Sequence, residues 1–234
     1  MIPRWIGASA VAVAKKVLDG NVALPASAEL INGEQLKQCA VSLSTQKALI
    51  MAGLLNDLCP KYGINTKDAL HEFLANVLQE SLEFQYKVEN MYYRAQTIVN
   101  TWPSQFKSIA DAAPYAKNPK ALANKVYGSR MGNRGGDDGW NLRGSGFIGL
   151  TGYYVLNEYR NYKGFKTVEE AAEYARNSDY GALDSALWFF AVLKNLVDVA
   201  ERDDMIGIIK EINGGTIGLK DRMYYYTLVT KYVI

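Results

Sequence analysis

With one histidine and two cysteines in 234 residues, the chain has almost no imidazole or thiolate to offer a metal. Cys39 and Cys59 match no zinc-ligand spacing, so a zinc site built from Cys and His is not expected; no organic cofactor is expected either. Two buried free thiols are the reading for them, with a disulfide as the alternative in an oxidising compartment. Charge of one sign is missing too. The 26 basic and 24 acidic residues leave a formal +2, with no basic stripe of the kind that duplex binding needs, and no nucleic-acid partner is expected. No GxxxxGK[ST] loop occurs, and no GxGxxG sits cleanly between a strand and a helix, which argues against a nucleotide-binding fold. The apolar run from Trp5 to Ala14, between Arg4 and Lys15-Lys16, falls short of the ~20 residues of a transmembrane helix. It runs on into Val17-Leu18 with helical spacing and no small-residue cleavage site, so an amphipathic or buried helix is expected there rather than an export signal. Stable membrane insertion is not expected.

What is present points to a helical protein. Apolar residues make up 49% of the chain, enough for a sizeable core in one domain or two small lobes. Residues 1–50 hold short apolar segments broken by Gly20, Pro25 and Gly33, without a chemical motif. Ala48, Ile50, Met51, Leu54, Leu55 and Leu58 recur at near-helical spacing up to Pro60. Thr66 is a fair N-cap for a following helix with Leu70, Phe73, Leu74, Val77 and Leu78 on one stripe. Helical periodicity returns from residue 168, again at 203–212 up to Asn213-Gly214-Gly215, and in a last helix from Leu219 to about Val233. Alternating runs are few. The expected class is mainly α, with a small β element where glycines gather.

That gathering spans residues 128–146, where seven glycines mix with Arg130, Arg134, Asp137, Asp138 and Arg143. An irregular polar stretch of this kind commonly carries a site on a rigid scaffold. Asp137-Asp138 reads as loop solvation or an Asx turn, with a calcium or sugar contact as the alternative. His71 reads as a surface or satisfied core residue, and Trp188-Phe189-Phe190 and Tyr224-Tyr225-Tyr226 read mostly as core.

Glycosidic hydrolysis needs two carboxyl groups, one to protonate the leaving oxygen and one to attack carbon or activate water. Glu80 ends the Phe73–Leu78 stripe, and Glu89 follows in Tyr86-Lys87-Val88-Glu89-Asn90. Unbroken helix between them would turn the second carboxylate by about 180° and carry it about 13.5 Å along the axis. The pair can share a cleft only if the chain leaves the helix after Glu80 and folds back. Spacing alone does not single out this pair among 24 acidic residues.

A resemblance does. Tyr62-Gly63-Ile64-Asn65-Thr66 with Phe73-Leu74-Ala75-Asn76-Val77-Leu78-Gln79-Glu80-Ser81 is similar to the catalytic helix of glycoside hydrolase family 19. Val88-Glu89-Asn90-Met91-Tyr92-Tyr93, Val126-Tyr127-Gly128-Ser129-Arg130-Met131-Gly132-Asn133, Asp138-Gly139-Trp140 and Arg143-Gly144-Ser145-Gly146-Phe147-Ile148-Gly149-Leu150-Thr151-Gly152 resemble further family segments in order, as does Ile212-Asn213-Gly214-Gly215 with Gly218 and Asp221-Arg222. The resemblance covers roughly residues 46–234 as a catalytic domain, leaving 1–45 as an added subregion of unknown role. It implies a lysozyme-like, two-lobed fold with a substrate cleft. It also implies Glu80 as general acid, Glu89 as general base and Thr151 as a holder of the attacking water, although Thr151 also suits a helix cap. Tyr92, Tyr93, Trp140, Arg143 and Asn213 are the implied substrate contacts, with Asn213-Gly214-Gly215 doubling as a helix stop.

The nine-residue interval between the glutamates resembles phage endolysins, which implies peptidoglycan glycan strands as partner and a monomer held in the host cytoplasm before release to the cell wall. Chitin is the alternative substrate, and a wall-binding or virion protein of low activity the alternative role. Four departures bear on this. Gln79 replaces the family histidine, Leu82-Glu83 replaces Gly-Gly, Ser145 replaces an arginine and Gly149 a glutamine. Without the glycine pair a tight turn after Glu80 is in question, and Glu83 is expected to place a further carboxylate near Glu80.

Overall fold

The computed structural model describes residues 29–202, 204–213 and 218–234, the side chains of Met205 and Asn213 excepted. The expectation of a helix at Trp5–Ala14 lies outside the described residues. Thirteen α-helices are described: α1 Gly33–Cys39, α2 Thr45–Leu58, α3 Lys67–Glu80, α4 Ala95–Thr101, α5 Ile109–Ala112, α6 Pro119–Tyr127, α7 Asp138–Asn141, α8 Tyr153–Lys163, α9 Val168–Asn177, α10 Asp179–Leu187, α11 Val197–Ala200, α12 Met205–Asn213 and α13 Leu219–Tyr232. None is long and apolar enough to cross a membrane among the described residues.

Side-chain caps start most of the longer helices. Asn32 and Gln35 form a reciprocal capping box on α1, and Ser44, Thr66, Thr167 and Ser178 each accept a backbone N–H at the start of α2, α3, α9 and α10. Such caps satisfy amides that have no partner within the helix. Pro60 does not break the chain abruptly: a 3-10 turn, Cys59–Tyr62, follows α2 and ends at Gly63 in the left-handed region.

The larger lobe is built around α3. Its sequence reads as a one-sided stripe, yet every residue from Ala69 to Leu78 is buried, His71, Glu72 and Asn76 included. The reason is packing: α13, α11 and α12 all lie against α3. His71 reaches the carbonyl of Val233 at 2.7 Å, so it is a satisfied core histidine. The core around α3 takes in Leu30, Ile31, Leu36, Leu43, Leu55, Phe73, Phe190 and Val229, so the segment from residue 30 onward shares it. Cys39 and Cys59 are both buried and free, their thiol pKa values pushed upward by burial.

A smaller core of Met91, Ile98, Phe106, Leu122 and Val126 belongs to the second lobe. Among the described residues the chain forms two antiparallel bridges, Val88 with Ser145 and Ser145 with Leu150, a small β element. This miniature ladder is centred on Ser145, in the glycine-rich region, and pairs it with Val88, next to Glu89, and with Leu150.

Candidate active site

Glu80 is the last residue of α3, and the backbone reverses immediately after it. Leu82, Glu83 and Phe84 adopt φ of 48°, 60° and 60° without a glycine among them. The amide of Glu83 donates to the carbonyl of Leu78 and that of Tyr86 to Ser81, which closes the turn. Extended chain follows, and the amide of Glu89 donates to the carbonyl of Gly144 at 3.0 Å while Gly146 donates to Lys87 at 2.9 Å. The expected reversal is therefore present. Glu80, Glu89 and Thr151 line one cleft of about 450 Å³, with Leu82, Tyr86 and Tyr127 on its walls. A hollow of about 290 Å³ adjoins it, again lined by Glu80 and Thr151, and by Gly149, Phe189 and Ile212.

The two carboxyl groups have different surroundings. Glu80 is bonded to the guanidinium of Arg222, itself only 2% exposed. Burial raises the Glu80 pKa above the ordinary carboxylate range, and the Arg222 charge opposes that rise only in part. Glu89 sits between two donors: the Tyr127 hydroxyl donates to Oε1 at 2.6 Å and the Gly144 amide to Oε2 at 3.1 Å. Burial and the adjacent Glu89 raise the Tyr127 pKa, so the phenol keeps its proton and remains a donor.

Gly144 is the hinge of this arrangement. A methyl group there would lie 2.9 Å from Glu89 Cβ, 3.2 Å from Glu89 Oε2 and 3.5 Å from Thr151 Oγ1. Glu89 and Thr151 thus flank one glycine, and only a residue without a side chain fits between them. Thr151 does not cap α8, whose N-cap is Gly152 without a side-chain bond. Its hydroxyl donates instead to the carbonyl of Gly149 at 2.8 Å, leaving its oxygen lone pairs available. Gly149 has φ of +68° and open space where a side chain would stand, so the cleft is wider there than a glutamine would leave it.

Tyr92, Tyr93, Trp140 and Arg143 are not among the residues that line this cleft. Tyr92 is 57% exposed, with its amide bonded to Asn90 Oδ1 at 2.8 Å. Tyr93 packs edge-on against Trp102 at 5.5 Å, and burial with the nearby Glu89 raises its pKa. The Arg143 guanidinium covers a face of Trp140 at 3.5 Å and donates to the Trp140 carbonyl at 2.6 Å. The side chain of Asn213 lies outside the described residues. Asp137 and Asp138 hold the loop locally, Asp137 with Lys120 and Asn124 and Asp138 with Arg134.

Two neighbours of the candidate carboxyl pair escaped the sequence reading as site residues. Tyr127 meets Glu89 across 38 positions and Arg222 meets Glu80 across 142, so no local spacing links either pair. Both stand inside segments that carry the family resemblance, which was the available signal. Glu83, expected to place a further carboxylate near Glu80, is buried and bonded to the Ser42 amide and the Tyr225 hydroxyl.

A mainly helical, two-lobed fold with a carboxyl pair lining its cleft is the architecture of a lysozyme-like glycoside hydrolase. No family model matches the chain. A Haemophilus influenzae protein described as a glycosyl hydrolase family 19 domain-containing protein is 30% identical over 158 residues, which span 66% of this chain and 74% of that relative. The chain belongs to glycoside hydrolase family 19.

Proposed function

We propose that the protein is an endolysin-like lysozyme that hydrolyses β-1,4 links between the amino sugars of bacterial peptidoglycan. The observation that carries this reading is the unequal carboxyl pair in one cleft. Glu80, its pKa raised by burial, suits the acid that protonates the leaving oxygen. Glu89, oriented by Tyr127 and Gly144, suits the base that takes a proton from water.

Thr151 fits the same step. Because its own proton is committed to the Gly149 carbonyl, it meets a water as an acceptor. A water giving one hydrogen to Glu89 and one to Thr151 keeps a lone pair directed at the sugar carbon. The water oxygen bonds to that carbon as the glycosidic bond breaks. Its proton passes to Glu89, and the Glu80 proton goes to the departing oxygen. That single displacement inverts the anomeric centre.

Peptidoglycan is favoured as substrate by the nine-residue interval between the glutamates and by the mild positive charge, which suits an anionic wall polymer. The proposed site of action is the cell wall, after accumulation in the host cytoplasm, with the monomer as the working form. Tyr92, Tyr93, Trp140, Arg143 and Asn213 remain the proposed sugar contacts.

Mass spectrometry of digests tests the assignment. Purified sacculi should yield soluble fragments with new reducing ends at a clearly higher rate than chitin oligosaccharides. Cleavage of chitin alone would overturn the substrate, and release of no reducing end from either polymer would favour a binding protein.

A further inference from the structure

Left-handed backbone is unfavourable for residues with a Cβ and persists where surrounding contacts over-determine it. Leu82, Glu83 and Phe84 occupy it in succession, directly after the residue read as the catalytic acid. Phe84 is fixed by burial at 2% exposure, edge-on to Phe147 at 5.0 Å, and its amide donates to Ser81 Oγ at 2.8 Å. Glu83 is fixed by hydrogen bonds. Only 9% exposed, its carboxylate accepts the Ser42 amide on Oε2 at 2.6 Å and the Tyr225 hydroxyl on Oε1 at 3.2 Å. Ser42 lies in the connection between α1 and α2, and Tyr225 lies on α13. One side chain therefore ties the turn to an early segment and to the last helix together.

We propose that Glu83 is a positioning residue, a clamp that holds the left-handed turn so that Glu80 on one side and Leu82 and Tyr86 on the other face the cleft. The inference rests on the reading of Glu80 as the acid. It accounts for a turn that keeps its shape where the resemblance leads one to expect two glycines. It also gives the connection around Ser42 a task in the active site that its distance in sequence conceals. Leu82 and Tyr86, 58% and 59% exposed, are the apolar wall that this turn presents to substrate.

Three variants of the full chain test the clamp: Glu83→Ala, Glu83→Gln and Glu83→Gly. Amide hydrogen exchange reads it without any substrate. In Glu83→Ala, exchange at residues 81–86 and at Ser42 should quicken by about tenfold or more while Leu70–Leu78 stays as slow as in the parent. In turnover, Glu83→Ala should lose about tenfold in kcat with KM within about twofold. Glu83→Gln, which keeps an acceptor for Ser42, should recover most of that loss. Glu83→Gly should outperform Glu83→Ala by about threefold or more, because glycine takes a φ of this kind freely and alanine does not. Unchanged exchange in Glu83→Ala overturns the clamp, as does a glycine variant no better than alanine. Should the parent cleave no glycan at all, the catalytic reading fails, and the exchange data still decide the clamp.

Discussion

The phenol of Tyr127 holds Glu89 by a 2.6 Å hydrogen bond that joins the last turn of α6 to the residue next to Val88 of the small β ladder. A carboxylate with rotational freedom is a poor base, since its lone pair must meet the water in one orientation. Tyr127→Phe keeps the ring and removes the donor. Hydrogen bonds to charged groups contribute roughly 1.5–3 kcal/mol, so kcat should fall about ten- to a hundredfold. KM should hold, since the phenol is directed at Glu89. Steady-state kinetics on soluble glycan fragments read both, and a loss below twofold would show that the Gly144 amide suffices.

Gly144→Ala places a methyl 2.9 Å from Glu89 Cβ, closer than such atoms come in real proteins. Residue 144 or Glu89 must shift, and Thr151 stands close enough to be disturbed as well. A misplacement of this order in catalytic groups costs about a hundredfold in rate. The thermal melt should move far less than activity does. Full activity would mean that Glu89 need not sit where it is seen.

The pH dependence follows from Glu80. Burial raises its pKa, and the Arg222 charge works against that. As an acid it is competent only while protonated, so kcat/KM should fall as pH rises through that raised value. Removing the Arg222 charge, as in Arg222→Met, takes away the influence favouring the ionised form. The alkaline limb should then move to higher pH. The stability sign agrees: folding favours the protonated carboxyl, so its contribution is present in acid and is lost as pH rises through the folded pKa. A limb that moves down in Arg222→Met would reverse the assignment of causes.

Glu80→Gln keeps shape and an acceptor for Arg222 but has no proton to give. Hydrolysis should drop by about 10²–10⁴-fold, the usual share of one acid or base. The thermal melt should stay near that of the parent, as the Glu80 side chain is 31% exposed and lies at a helix end. Substantial residual turnover would move the acid role to another carboxyl.

The sequence made some of this legible and hid the rest for identifiable reasons. The helix Lys67–Glu80 was readable because its Thr66 cap and apolar spacing are local properties. Its burial on all sides was not, because that depends on α11, α12 and α13 packing against it. A shared cleft demands that Glu89 return toward Glu80, yet the residue types between them give no sign of it. Leu82-Glu83-Phe84 lacks the glycine that normally marks a left-handed turn. The turn is held instead by Ser42 and Tyr225, remote in sequence, and no local pattern announces such partners. Asp137 and Asp138 read as loop solvation or an Asx turn, but both are paired: Asp138 with its neighbour Arg134, and Asp137 with Lys120 and Asn124 on α6, partners that no local spacing indicates.

The anomeric form of the first product tests the central claim most directly. If Glu80 gives the proton while Glu89 activates water, one displacement occurs, and proton NMR of a fresh digest of a β-linked soluble glycan should show the α-anomer first. A β-anomer appearing first would mean a covalent or substrate-assisted route and would contradict the roles assigned to Glu89 and Thr151.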